Sequence, residues 1–269
     1  MKIIIGRIHP LGREILAVWR SGGPLFRFLL AAWVLVMISL PVIRWTAGDA
    51  FLPLVVSAGV VLQTAAVLTV LGSTWGARRT ILTVLIVTVL AWGVEALGSQ
   101  TGVPFGVYHY TQKLQPQILG VPLLIPLAWL MMLPPAWAVA QRIVGAGRRA
   151  AFIAVAALAF TVWDLFLDPQ MAGWGLWVWE RPGGYFGIPW VNYLGWLAAS
   201  ALITAAVQPA PVPQGPLILI YAVTWALETV GLLVFWGLPG PALIGGAAMG
   251  GMLIWAGLAG GPDKAGAGN

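Results

Sequence analysis

The chain has 269 residues, of which 60% are hydrophobic and only 8% charged. A soluble domain carries about 25% charged residues, so the balance excludes an ordinary soluble fold and points to a membrane protein. The net charge of +6 comes from Lys and Arg between apolar runs, so it bears on orientation in a bilayer and not on nucleic acid. With no cysteine, disulfides, thiolate metal sites and cysteine nucleophiles are excluded.

The opening "MKIIIGRIHPLGREILAVWR" lacks the apolar core and cleavage site of a signal peptide, so residues 1–24 read as a basic cytoplasmic leader. Apolar runs of bilayer-spanning length then follow at 25–43, 51–71, 80–98, 119–141, 150–168, 188–207, 216–237 and 240–259. Prolines 122, 126, 134 and 135 interrupt the fourth run, and glycines dilute the eighth; without that last run there would be seven crossings. The expected fold is all-α: one polytopic membrane domain over 25–259, a bundle of about eight transmembrane helices, with a disordered tail at 260–269. Eleven of the Lys and Arg residues fall on one side of this topology. Arg44, Lys113 and Arg181 fall on the other. That asymmetry places both termini in the cytoplasm and the protein in the cytoplasmic membrane.

The acids gather in one half of the bundle, although only Lys and Arg were used to orient it. Glu95 closes the third run, Asp164 and Asp168 the fifth, and Glu228 lies in the outer half of the seventh. A carboxyl group inside a span is costly unless it faces the bundle interior, a partner or water, so each is a functional candidate. Asp164 and Asp168 are four apart and share one helix face, and Pro169 is expected to end that helix. Two carboxyl groups so close in a low dielectric do not both ionise readily, which leaves one available as a general acid. Glu180, next to Arg181, reads as half of a solvated loop ion pair.

A weak internal repeat runs through these acidic segments. "WGVEALG" (92–98) and "WALETVG" (225–231) both read W-x-x-E-x-x-G. "GVPLLIPLAW" (120–129) and "GIPWVNYLGW" (187–196) both read G-[VI]-P-x6-W, each preceded by a loop with a Phe-Gly pair. Parallel repeats place binding sites at their interface. The sixteen tryptophans are many, and Trp92 with Glu95 and Trp225 with Glu228 put an indole beside an acid. An acid among aromatic rings in a dry pocket suits chemistry that passes through a carbocation, because the ring faces stabilise positive charge. The loop after Glu95, with Gly102, Phe105 and Gly106, is expected to close over such a pocket. His9 and His109 are too few for a histidine-rich metal centre or a bis-His haem. No span contains lysine, and no diphosphate-binding or nucleotide-binding motif occurs, so no metal and no cofactor is expected.

The strings "EALGSQTGVPFGVYHYT…GVPLLIPLAW", "WDLFLDPQMA…WVWE…GGYFGIPWVNYLGW" and "WALET" resemble the membrane carotenoid hydratases, of the carotenoid 1,2-hydratase and bisanhydrobacterioruberin hydratase type, over roughly 70–240. The resemblance implies a hydro-lyase that adds water across the terminal C1–C2 double bond of an acyclic carotenoid end. Its implied partners are an acyclic or monocyclic carotenoid, water, the lipid bilayer and other carotenoid-pathway enzymes. The catalytic candidates are Asp164 and Asp168 as an acid–base pair, with Glu95 and Glu228 as partners or alternates. Candidates for the pocket are Trp92, Phe105, Tyr108 and His109 on the first side, and Trp163, Tyr185, Asn192 and Trp225 on the second. Three other readings stay open: a membrane cyclase that captures the same cation internally, a proton-coupled transporter, and a carotenoid-binding scaffold.

Overall fold

The computed structural model describes residue 19, residues 21–145 and residues 147–259. The expected leader at 1–24 and tail at 260–269 lie outside the described residues, save residue 19 and 21–24. Among the described residues, seven helices are long and apolar enough to cross a bilayer. One of them, Leu52–Thr101, has non-helical backbone at Gly76 (φ 74°, ψ 168°), a region of backbone space open only to glycine. The chain doubles back there. Thr64 donates to the carbonyl of Leu127, and Glu95 accepts from Trp129, two residues further along the same helix. On a straight helix Thr64 and Glu95 would lie ~46 Å apart. The two arms therefore count separately, and the bundle has eight crossing segments.

These are α1 (Gly23–Ala47), α2 (52–75), α3 (77–101), α4 (Leu124–Val144), α5 (Arg149–Gly173), α6 (Trp190–Val207), α7 (Gln214–Val230) and α8 (Pro239–Ala259). A π-helical turn, Gly231–Phe235, extends α7. Residues 119–123, expected as the start of the fourth span, instead form a turn and part of a small hairpin, β2 (Gln117–Ile118) and β3 (Val121–Pro122).

α4 forms the axis of the bundle and is buried without interruption from Trp129 to Ala140. Small residues let the others approach. Gly245 of α8 lies against the ring of Phe166 on α5, and Gly250 against the indole of Trp225 on α7. The glycines that dilute the eighth run thus serve its packing. The outer surface is apolar where lipid would meet it, with Leu35, Leu54, Leu202 and Leu258 all more than 60% exposed.

The two ends of the bundle differ. At one end Arg79 donates to the carbonyl of Gln208, Arg149 to that of Ala205, and the indole of Trp75 to that of Pro211. At the other end Arg44 pairs with Asp49 at 2.8 Å, and Lys113 donates to the carbonyl of Trp174 at 2.6 Å. This second end carries the two long loops. Glu180 and Arg181 are both exposed there and form no ion pair, contrary to the expectation from their adjacency.

Candidate active site

The long loops, 102–123 and 174–189, are joined by an antiparallel ribbon. β1 (Tyr108–Tyr110) pairs with β4 (Trp177–Trp179), setting Tyr108 opposite Trp179 and Tyr110 opposite Trp177. Side chains alternate across a strand, so these four aromatic residues share the inward face. Their partners in register, His109 and Val178, face outward and are exposed. His109 therefore does not line the pocket, and the reason is parity.

Phe105 anchors the first loop. Its ring lies between two glycines, Gly98 of α3 and Gly195 of α6, where an added Cβ would stand 2.6 and 2.7 Å from ring carbons. The indole of Trp179 donates to the carbonyl of Phe105 at 3.2 Å and ties the ribbon to this anchor. The loop thus covers one end of a chamber lined from α1 to α7 almost entirely by apolar and aromatic side chains.

Three of the four candidate acids reach this chamber directly: Glu95, Asp168 and Glu228. Glu95 is held by three donors. The hydroxyl of Tyr108 reaches its Oε2 at 2.5 Å, that of Tyr110 the same oxygen at 2.8 Å, and the indole N–H of Trp129 its Oε1 at 3.1 Å. Burial and then the charge of Glu95 push both phenols well above the ordinary tyrosine range, so both remain O–H donors through neutral and alkaline pH.

Asp164 and Asp168 stand one turn apart and face the same residue. Asn192 Nδ2 donates to Asp164 Oδ2 at 2.9 Å and also to Asp168 Oδ2. Trp177 donates to Asp168 Oδ1 at 3.1 Å. Asp168 is on the chamber wall; Asp164 lies behind it, fully buried, with Oδ1 unpartnered. The helix does not stop at Pro169 but continues to Gly173. Proline removes the bond that residue 169 would make to the carbonyl of Leu165. The phenol of Tyr185 donates to that carbonyl at 3.0 Å and replaces it. Tyr185 therefore supports the acidic helix from outside and does not line the chamber.

The aromatic wall includes residues absent from the sequence-based set. Trp129, Phe160, Trp163 and Trp196 pack as one cluster with centroids 4.8–6.0 Å apart. Phe105, Tyr108, Trp163 and Asn192 line the chamber as expected, whereas Trp92 and Trp225 do not. Each of those two indoles donates instead to a backbone carbonyl, Trp92 to Ile118 and Trp225 to Gly246. The residues missed, Tyr110, Trp129, Trp177, Trp179 and Trp196, were all visible as loop aromatics or motif tryptophans. Among the described residues no group of three His, Asp or Glu is arranged to hold a metal ion.

The fold and the site define a polytopic α-helical membrane protein with an apolar chamber, acids at its wall and aromatic rings around them. The model of the family described as carotenoid biosynthesis protein matches residues 53–252, the greater part of the chain. The chain belongs to that family. It is also similar to a bisanhydrobacterioruberin hydratase of Haloarcula japonica, 31% identical over 128 residues, which are 46% of this chain and 43% of that relative. The match thus spans less than half the length of that relative. No solved structure matches the chain.

Proposed function

We propose that the protein is a carotenoid hydratase, acting without a cofactor on the terminal C1–C2 double bond of an acyclic carotenoid end. The observation that carries this reading is the Asp164–Asn192–Asp168 unit set into an aromatic wall. It joins a proton source to a surface that stabilises a cation.

In this mechanism Asp168, on the chamber wall, gives its proton to C2 of the end group. The electrons of the double bond form the new C–H bond and leave the positive charge on tertiary C1. The faces of Trp129, Trp163 and Trp196 and the carboxyl oxygens of Glu95 stabilise that cation. A water oxygen then bonds to C1, and its surplus proton returns to the Asp164–Asp168 pair. The sum is one water added and the acid restored. Asn192 donates to both carboxyls and so keeps their oxygens in place through the exchange.

The segregation of Arg78, Arg79, Arg142, Arg148 and Arg149 to the end opposite the chamber loops supports a cytoplasmic-membrane protein with that basic end in the cytoplasm. The polyene enters from the bilayer, and water reaches the site from the loop side.

The test is expression in bacteria that make lycopene, followed by pigment extraction and mass analysis. A gain of one water, lost in Asp168→Asn, is the expected result. A product of unchanged mass with a shortened chromophore would mean a cyclase. Unchanged lycopene, and unchanged γ-carotene in a second strain, would reject the reading.

A further inference from the structure

The chamber contains a second polar locus, on the side formed by α2 and α7. Gln63 of α2 is buried and donates its amide to Thr224 Oγ1 of α7 at 3.3 Å and to Met132 Sδ at 3.2 Å. Thr224 and Glu228 are one turn apart on the same face of α7. All three line the chamber. Glu228 is only 8% exposed, yet its carboxyl group has no hydrogen-bonding partner among the described residues. No donor reaches Oε1 of Gln63 either.

This contrasts with Glu95, its counterpart in the W-x-x-E-x-x-G repeat. The two motifs are built alike. In each the Trp donates to a distant carbonyl, the Glu enters the chamber, and the Gly lies beneath an aromatic ring: Gly98 under Phe105, Gly231 under Trp236. Glu95 receives three protein donors, Glu228 none. A π-turn begins three residues after Glu228, at Gly231, with the N–H of Trp236 bonded to the carbonyl of Gly231, and such turns recur at functional positions. A hydrocarbon in this part of the chamber would leave a carboxyl and an amide oxygen without partners, at a cost of about 1–3 kcal/mol for each buried group.

We infer that Gln63 and Glu228 form a binding station for a hydroxyl group, which donates its one proton to the carboxyl of Glu228 or to Oε1 of Gln63. Two sources supply that chemistry within the chamber: the tertiary alcohol of a hydrated isoprenoid end, or a water molecule. The inference rests on the hydratase reading only in the choice of probes.

The experiment uses the full chain in detergent, with quenching of tryptophan fluorescence by bound polyene as the binding readout and hydrated product as the turnover readout. The probes are lycopene and its 1-hydroxy-1,2-dihydro derivative, tested on wild type, Glu228→Gln, Gln63→Met and Gln63→Leu. If the station takes the alcohol, the wild type binds the hydroxylated pigment about ten-fold more tightly than lycopene, the size of one buried hydrogen bond. Gln63→Met and Gln63→Leu then bring that ratio towards one. If it takes water, the two pigments bind alike and the variants lower turnover about ten-fold without moving either affinity. Unchanged affinity ratio and unchanged turnover in all three variants would overturn the station. A wild type that discriminates between the pigments but hydrates neither would reject the hydratase reading and leave the station standing.

Discussion

Trp129 and Trp196 stack face to face, with ring centroids 5.0 Å apart and planes at 20°. They are the last residues of the two G-[VI]-P-x6-W segments, so the two copies of the internal repeat meet at this contact. The copies meet again where β1 joins β4. Between these two junctions lie Glu95 from the first copy and Asp164 and Asp168 from the second. The repeat thus brings acids from α3 and α5 to one wall of one chamber.

Trp129 has two separable jobs, because its ring packs and its N–H holds Glu95. Trp129→Phe keeps most of the packing and removes the donor. Turnover should fall about ten- to a hundred-fold, as for loss of one hydrogen bond to a charged group, with the folded protein still recovered. Trp129→Ala removes both and should cost about 3–5 kcal/mol in stability. Product formation and thermal unfolding of the two variants side by side check this. Equal activity in Trp129→Phe and wild type would remove Glu95 from the chemistry.

Much of the architecture is legible in hydropathy, because a bilayer demands long apolar helices whatever their tertiary partners. The acids were legible for the same reason: a carboxyl in a span stands out. The aromatic wall was not. In the expected set His109 ranked beside Tyr108, yet three-residue strands have too little pattern to reveal β1 and β4, and only their pairing settles which residues face inward. Tyr185 looked like pocket lining, but its hydroxyl serves the carbonyl that Pro169 leaves free. Pro169 was read as a helix end because the compensating donor comes from a segment sixteen residues further along. Gln63 carries no formal charge, so nothing in the apolar run around it marked it as a chamber residue.

Asp164 and Asp168 should behave as one unit, since Asn192 binds both. Asp164→Asn and Asp168→Asn should each lower turnover by at least about a hundred-fold, the range expected for removal of a general acid. The double variant should be no worse than the more damaged single variant, as for groups that act together. Additive losses, measured as initial rates of product formation, would show that the two carboxyls act independently.

Phe105 fits between Gly98 and Gly195 with no room for another carbon. Gly98→Ala should therefore push the loop off the chamber, raising its cleavage by protease and lowering activity, since the ring of Phe105 is what its new methyl group would strike. Phe105→Leu in the same chain should recover part of both, because the smaller side chain leaves space for the new methyl group. A double variant no better than Gly98→Ala alone would mean that the loop is held by its ribbon and not by this anchor.

The reversal at Gly76 can be tested against a neighbouring glycine. At φ 74° and ψ 168° Gly76 occupies backbone space that a Cβ makes costly, so Gly76→Ala should destabilise the protein by about 1–3 kcal/mol. Gly72 lies one turn earlier, within the helical arm, with nothing within 4 Å of an added Cβ. Gly72→Ala should be neutral or stabilising by up to about 1 kcal/mol, since alanine favours a helix over glycine. Thermal unfolding of both variants in one detergent gives the comparison. The same order of stability in both would mean that the turn at Gly76 does not fix how α2 and α3 fold back, and with it how Gln63 and Glu95 come to share one chamber.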